Sequence, residues 1–254
     1  MISQSTGTGP GIAVVTGAAG GMGAAIARKL HADGRRVLLA DIDTAGVEAL
    51  AVELSPDGST ARGLELDVSR KDGFEEALAT CRQIWGIPTI VVNNAAVTQA
   101  ADLMNLAEAD FTSVLTTNVN SIFFGCQVFG AAMADQGFGR IVNMASLAGQ
   151  NGGTATGGHY AASKGAILTT TKVFARELAG RGVTVNAISP GPHDLPVVRA
   201  TVPPDRLAGI VAGIPVGRLG SPPFVADMVG LLTSDDAYFV TGACWDVNGG
   251  LYLR

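Results

Sequence analysis

The chain has little of what several large functional classes require. It carries three cysteines, Cys81, Cys126 and Cys244, an odd number at wide spacing. That excludes the disulfide framework of a small secreted domain and suits free thiols in a reducing compartment. Its three histidines, His31, His159 and His193, show no metal-ligand spacing, so no metal is expected. It has no run of lysine or arginine, and its net charge is −5. Nucleic acid and anionic membrane surfaces are therefore not expected as partners. No apolar run reaches the ~20 residues of a membrane span. The greasiest stretch, 121–129, is short and polar-flanked and reads as a buried helix. Residues 1–10 lack the basic-then-apolar order of a signal peptide and read as a flexible tail. The expected location is the cytoplasm.

What the chain does have is a core and a rhythm. Hydrophobic residues make up 47% of its 254 positions, enough to bury a large interior. Short β-branched runs alternate with helical patterns from end to end. That order predicts a doubly wound parallel sheet of about seven strands, with right-handed crossovers and helices on both faces. Residues 11–254 are read as one domain. Strands are expected at 12–16, 37–41, 64–68, 88–92, 139–146, 183–191 and within 241–250.

The first strand runs straight into Gly17-Ala-Ala-Gly20-Gly21-Met22-Gly23, and a helical pattern follows. Glycines at 17, 21 and 23 let the backbone turn tightly and approach a diphosphate. The helix start supplies free N–H groups and a positive dipole end. Alone, such a loop also reads as a plain tight turn; its place between strand and helix points to a dinucleotide. Asp41 ends the second strand, 18 residues after Gly23. A carboxylate there accepts hydrogen bonds from the adenosine ribose hydroxyls and repels a 2′-phosphate. The competing reading makes Asp41 a cap for the next helix.

A second centre lies at Tyr160-Ala-Ala-Ser-Lys164, with Ser146 upstream at the end of an apolar run. On a helix, residues four apart share a face. A free tyrosine titrates near pH ~10, and an ammonium beside it favours the phenolate. Tyrosine then becomes a usable general acid or base, while a serine hydroxyl holds the reacting oxygen.

Together, Ser146, Tyr160-x-x-x-Lys164 and the glycine pattern resemble the short-chain dehydrogenase/reductase family, in its shorter-chain, or classical, branch. The likeness covers about 12–250 and implies a Rossmann-type fold. It implies that Asp67-Val68 contact the adenine ring. Asn93-Asn94-Ala95-Ala96 is similar to the family's N-N-A-G, with Ala96 in place of the last glycine. Asn94 and Ala95 then border the cofactor and brace the sheet edge. Asn118 corresponds to an asparagine that bends its helix and holds a relay water; the alternative is a polar residue on a solvated face. Pro190-Gly191 matches the motif beside the nicotinamide. Past it the chain departs: where relatives carry an aliphatic residue and then a threonine, this chain has His193 and Leu195. Backbone groups of His193 remain for the carboxamide. Gly20 stands where NADP-using relatives carry a basic residue, and Ile42 follows Asp41 in place of an arginine. These places favour NAD. The loop from Ser146 to Tyr160 is one residue longer than in most relatives. The proline-containing stretch 192–215 reads as a substrate loop without a regular pattern, carrying Arg199 and Arg206.

The reading is an NAD-dependent oxidoreductase that interconverts a small secondary alcohol and its ketone. Tyr160 is the proton carrier, and Ser146, Lys164 and Asn118 assist. The runner-up is a 3-oxoacyl carrier-protein reductase, which shares these residues but usually takes NADPH and needs a basic surface. A silent NAD-sensing protein is the reading from another class. The resemblance also implies a homotetramer.

Overall fold

Strands form where valine, isoleucine and leucine run together, and each gives way to a helix. In the computed structural model, which describes residues 11–153 and 156–254, the order begins β1 (Ile12–Thr16), α1 (Gly21–Ala32), β2 (Arg36–Asp41), α2 (Thr44–Leu54), β3 (Ala61–Glu65), α3 (Lys71–Ile84) and β4 (Ile90–Asn93). It continues with α4 (Glu108–Gln136), β5 (Gly139–Met144), α5 (Ala148–Asn151), α6 (Gly158–Leu178) and β6 (Val183–Pro190). It ends with α7 (Pro196–Thr201), α8 (Pro204–Gly213), α9 (Pro222–Leu232) and β7 (Cys244–Val247). The expected tail over 1–10 lies outside the described residues.

The seven strands form one sheet in the order β3-β2-β1-β4-β5-β6-β7, all parallel. Residues of the inner strands are almost all buried on both faces, as a sheet covered by crossover helices requires, while the edge strands β3 and β7 are partly exposed. Alternate residues of β1 enter different cores. Val14 packs with Phe74, Phe129 and Ile167 from α3, α4 and α6. Ala13 and Val15 pack with Ile26, Leu30 and Val229 from α1 and α9. Strand order reverses between β1 and β4, and such sheets bind ligands outside the carboxyl ends at that point. No described helix is long and apolar enough to cross a membrane.

Two sequence expectations change. The third strand is Ala61–Glu65, earlier than 64–68, so Asp67 and Val68 lie past its end. Its partner β2 stops at Asp41, opposite Glu65, and a strand ends with its ladder. The stretch 192–215, read as irregular, holds α7 and α8. Each begins with a proline in its first turn, where the missing N–H costs nothing and the fixed φ suits a helix.

Candidate active site

The carboxyl ends of β1, β4, β5 and β6 bring the marked residues to one edge. After β1 the backbone turns at Gly17, with φ of 67°. A Cβ there would stand 2.8 Å from Asn94 Nδ2 and from Ala95 Cα. A Cβ on Gly23 would overlap the Gly17 carbonyl oxygen. Glycine is therefore needed at both places by packing. Gly20 is extended and faces open space, and it caps α1 with no side-chain hydrogen bond. The first-turn N–H groups of α1 thus have no side-chain partner. Together with Gly21, at φ of 56°, and Met22 they form a bare-backbone cradle suited to a diphosphate.

Asp41 is tied to that cradle. One carboxylate oxygen accepts the Ala19 N–H at 3.0 Å, the other the Asp43 N–H at 3.1 Å. The helix after it is capped by Asp43, which accepts the Gly46 N–H, so Asp41 is not the cap. Ile42 is 71% exposed beside it. Asp67 accepts the Ser69 N–H at 2.9 Å, and Val68 is buried. Asn94 braces the edge as expected: its Nδ2 donates to the carbonyls of Thr16 and Gly17 at 3.0 and 3.1 Å. Thr16 Oγ1 in turn accepts the N–H groups of Asn94 and Ala95. No described non-glycine residue has a positive φ, so Ala96 serves where relatives have glycine.

Past β5, the Ser146 hydroxyl lies close enough to the Tyr160 phenol to favour its ionised form, so the longer loop still brings the two together. Part of that loop, Thr154 and Ala155, lies outside the described residues. The rest folds as α5, pressed on α6 at Gly149, where a Cβ would stand 2.5 Å from the Lys164 carbonyl carbon. Gly152 and Gly153 then take φ of 84° and 68°. Ser146 Oγ also accepts the Ala148 N–H at 3.1 Å, which orients its lone pairs.

Lys164 is 3% exposed, and its Nζ donates to the Met144 carbonyl at 2.7 Å. Nζ lies 5.6 Å from the centroid of the Tyr160 ring. Burial lowers the Lys164 ammonium to about 8. Burial raises the Tyr160 phenol above its ordinary value, and the nearby Ser146 hydroxyl opposes this. The expected lowering of Tyr160 by Lys164 is therefore absent here. The ammonium is turned to Met144, and desolvation wins.

Asn118 is fully buried, so the solvated-face alternative is excluded. Its side chain is committed: Oδ1 accepts the Val97 N–H, and Nδ2 donates to Val97 O and Ser163 Oγ. A relay water is left the backbone carbonyl, which accepts Ser121 Oγ and keeps a second lone pair. Ser163 extends the brace by donating to Tyr160 O at 2.7 Å. Sequence reasoning missed Ser163 and the Met144 carbonyl. The first was visible inside Tyr160-x-x-x-Lys164; the second is backbone and leaves no mark in a sequence.

After β6, Gly191 donates to Val247 O at 2.8 Å, and the next residues cross toward the glycine loop. A Cβ on Gly21 would stand 3.9 Å from Leu195 Cδ2, so Leu195 leans over the cradle. Arg199 pairs with Asp194 and is not a free anion site. A cavity of about 530 Å³ lies behind this segment, lined by Pro192, Ile214, Val216, Phe224, Val247 and Asn248 among others, away from Tyr160.

Comparison with known proteins adds a family and its members. Residues 17–252 match the family model described as Enoyl-(Acyl carrier protein) reductase. The 3-oxoacyl-(acyl-carrier-protein) reductase FabG of Escherichia coli (strain K12) is 37% identical over 244 residues, covering 95% of this chain and 97% of that protein. The protein of the same name from Pseudomonas aeruginosa is 37% identical over 242 residues, with 95% and 97% covered. The one from Haemophilus influenzae is 35% identical over 244 residues, with 95% and 98% covered.

Proposed function

The chain belongs to the short-chain dehydrogenase/reductase family, a family of nicotinamide-dependent oxidoreductases, and we propose that it reduces the ketone of a 3-oxoacyl thioester, using NADH. The sequence alone ranked a general alcohol dehydrogenase first and this reading second. The relatives support the second, because those named above are 3-oxoacyl reductases aligned over nearly their whole length.

The observation that carries the chemistry is the placing of Ser146, Tyr160 and buried Lys164 together, with Lys164 Nζ 5.6 Å from the Tyr160 ring centroid and the Ser146 hydroxyl near enough to bear on the phenol. A nicotinamide cofactor bound along the cradle supplies the hydride. Tyr160 gives its proton to the ketone oxygen as general acid. Ser146 donates a hydrogen bond to that same oxygen. Lys164 places a cation 5.6 Å from the ring of the phenolate that Tyr160 becomes. Asn118 is a positioning residue, since it ties Val97 to Ser163 and so to the first turn of α6.

The choice of NADH rests on Asp41. Its carboxylate is fixed by two N–H groups and would face a 2′-phosphate. The test is turnover of acetoacetyl-coenzyme A against simple ketones, with NADH and NADPH side by side. Expected are faster thioester reduction and tighter NADH. Asp41→Ala should weaken NADH and narrow the gap to NADPH. Simple ketones turned over better than the thioester would overturn the substrate class, and better NADPH affinity in the unmutated protein would overturn the cofactor choice.

A further inference from the structure

His193 stands in the segment that follows Pro190-Gly191, at a place where relatives carry an aliphatic residue. Its ring is 5% exposed. Nδ1 lies 2.8 Å from the Gly191 carbonyl oxygen. A carbonyl only accepts, so Nδ1 carries the proton in that contact. In the neutral ring Nε2 is then a bare acceptor. It is buried with no hydrogen-bond partner. It faces Gly220, where an added Cβ would come within 2.5 Å of it. A second proton on Nε2 has no acceptor to meet and little room.

The ring fills a closed backbone clasp. The Asp194 N–H donates to Gly220 O and the Gly220 N–H to Pro192 O, each at 2.9 Å. Leu195 donates to His193 O at 3.0 Å, and Gly191 is tied to β7. No threonine is present to hold the segment from its far side, and Leu195 supplies only apolar contact. The ring's own bond to Gly191 O adds a side-chain tie to these backbone bonds, and the ring itself fills the space between them.

We propose that His193 is a positioning residue: its neutral ring keeps the Pro190–Leu195 segment in the shape that receives the nicotinamide, so one protonation there weakens cofactor binding in acid. This rests on the reading above that this segment faces the nicotinamide. Burial lowers the ring's proton affinity below the ordinary value, which fits a site built for the neutral form. The charged groups around it are engaged elsewhere or lack contact with Nε2. On its own segment Asp194 is bound to Arg199. On β7 Asp246 is bound to Arg254 and Gln150.

The sign follows from linkage. The free protein, already clasped, takes up the proton only below the ordinary histidine value of ~6.5, and the cofactor-bound segment excludes it, so NADH affinity falls by at most about tenfold per pH unit once that lowered value is passed. The experiment is a fluorescence titration of NADH and a calorimetric titration of ADP-ribose, which lacks the nicotinamide, at pH 7.5 and 5.5. Expected is a loss of NADH affinity that falls short of tenfold, with ADP-ribose nearly unchanged. His193→Ile, the aliphatic side chain of relatives, should remove the loss. His193→Asn keeps a donor for Gly191 O without a titrating proton and should remove it as well. An equal loss in wild type and both variants overturns the proposal, and so does a parallel loss for ADP-ribose. If NADH and ADP-ribose bind equally at pH 7.5, the segment does not face the nicotinamide, and the underlying reading fails instead.

Discussion

Tyr160 and Lys164 present opposite electrostatic problems on one face of α6. Tyr160 is harder to ionise than in water, and Lys164 easier to discharge. For Tyr160 the ketone-reducing direction needs the protonated phenol. Reduction should hold through neutral pH and fall only as the raised value is approached, while alcohol oxidation rises over that range. Tyr160→Phe keeps the ring and removes the proton. It should lower kcat at least ~100-fold, the low end for general acid–base catalysis, with NADH binding nearly intact. Retention of a tenth of the activity would remove Tyr160 from the mechanism. Lys164 carries a stability prediction of its own. Its folded value is about 8 against an ordinary 10.5, so the folded state binds fewer protons between those limits. Stability from this group therefore rises with pH across that window, and below it the buried cation is a full burden, at most about 3 kcal/mol. Lys164→Met loses the bond to Met144 O, worth ~1 kcal/mol, and sheds the burden. It should be inactive yet melt a few degrees higher at pH 7, with the gap closing by pH ~10. A variant that melts lower at pH 7 would show that the Met144 bond outweighs the buried charge. These two residues were legible in the sequence because side-chain spacing encodes them. The direction of the Tyr160 shift was not, since it depends on where Nζ points.

Among the α-helices described, α5 is the shortest, and it lies directly against the site. It fills the extra length between Ser146 and Tyr160 and closes on α6 through Gly149. A methyl there meets backbone, at 2.5 Å from Lys164 C and 2.7 Å from Gly165 N, and backbone does not yield as a flexible side chain would. Gly149→Ala should push α5 outward and carry Ser146 with it. Expected is a destabilisation of about 1–3 kcal/mol, typical of overpacking, and a kcat loss larger than any change in NADH affinity. Normal kcat in a correctly folded variant would show that α5 does not set the serine. The strands and long helices were readable because burial on both faces leaves continuous apolar runs and 3.6-residue patterns leave helices. The elements missed were those decided by neighbours. β3 ends where β2 gives out, and no local signal marks that place. α7 and α8 open on Pro196 and Pro204, and proline read as a breaker hid two starts. Asn118 was found by its poor fit to a helix interior, but its tie to Val97 crosses 21 residues and was invisible.

At the scale of the whole molecule, exposed apolar side chains gather on two helical faces among others of the described surface. On α4 and α6, Phe123 is 43% exposed and Val173 55%, and the Phe123 and Phe174 rings meet edge-on at 5.3 Å. On and after α9, Phe224 is 56%, Leu231 59% and Phe239 90% exposed. Large apolar side chains left exposed on one face in this way are suited to contact with another molecule. Homo-oligomers close by twofold axes, and each such axis uses one self-complementary patch. One patch makes a dimer; two separate patches make two kinds of twofold contact, and four chains satisfy both at once. We therefore expect a homotetramer, with light scattering giving four times the mass of one chain. The halves should come apart separately. Phe123→Asp places a charge in the α4–α6 face and should leave dimers held through α9. Leu231→Asp should leave dimers held through α4 and α6, and the double variant should be monomeric. The ordering follows from desolvation, since a carboxylate buried without a partner costs several kcal/mol, more than one side chain's share of such a contact returns. A monomeric mass for the unmutated protein would refute the assembly. A tetramer that survives Phe123→Asp would mean that the exposed phenylalanines of α4 and α6 serve something other than a second copy of this chain.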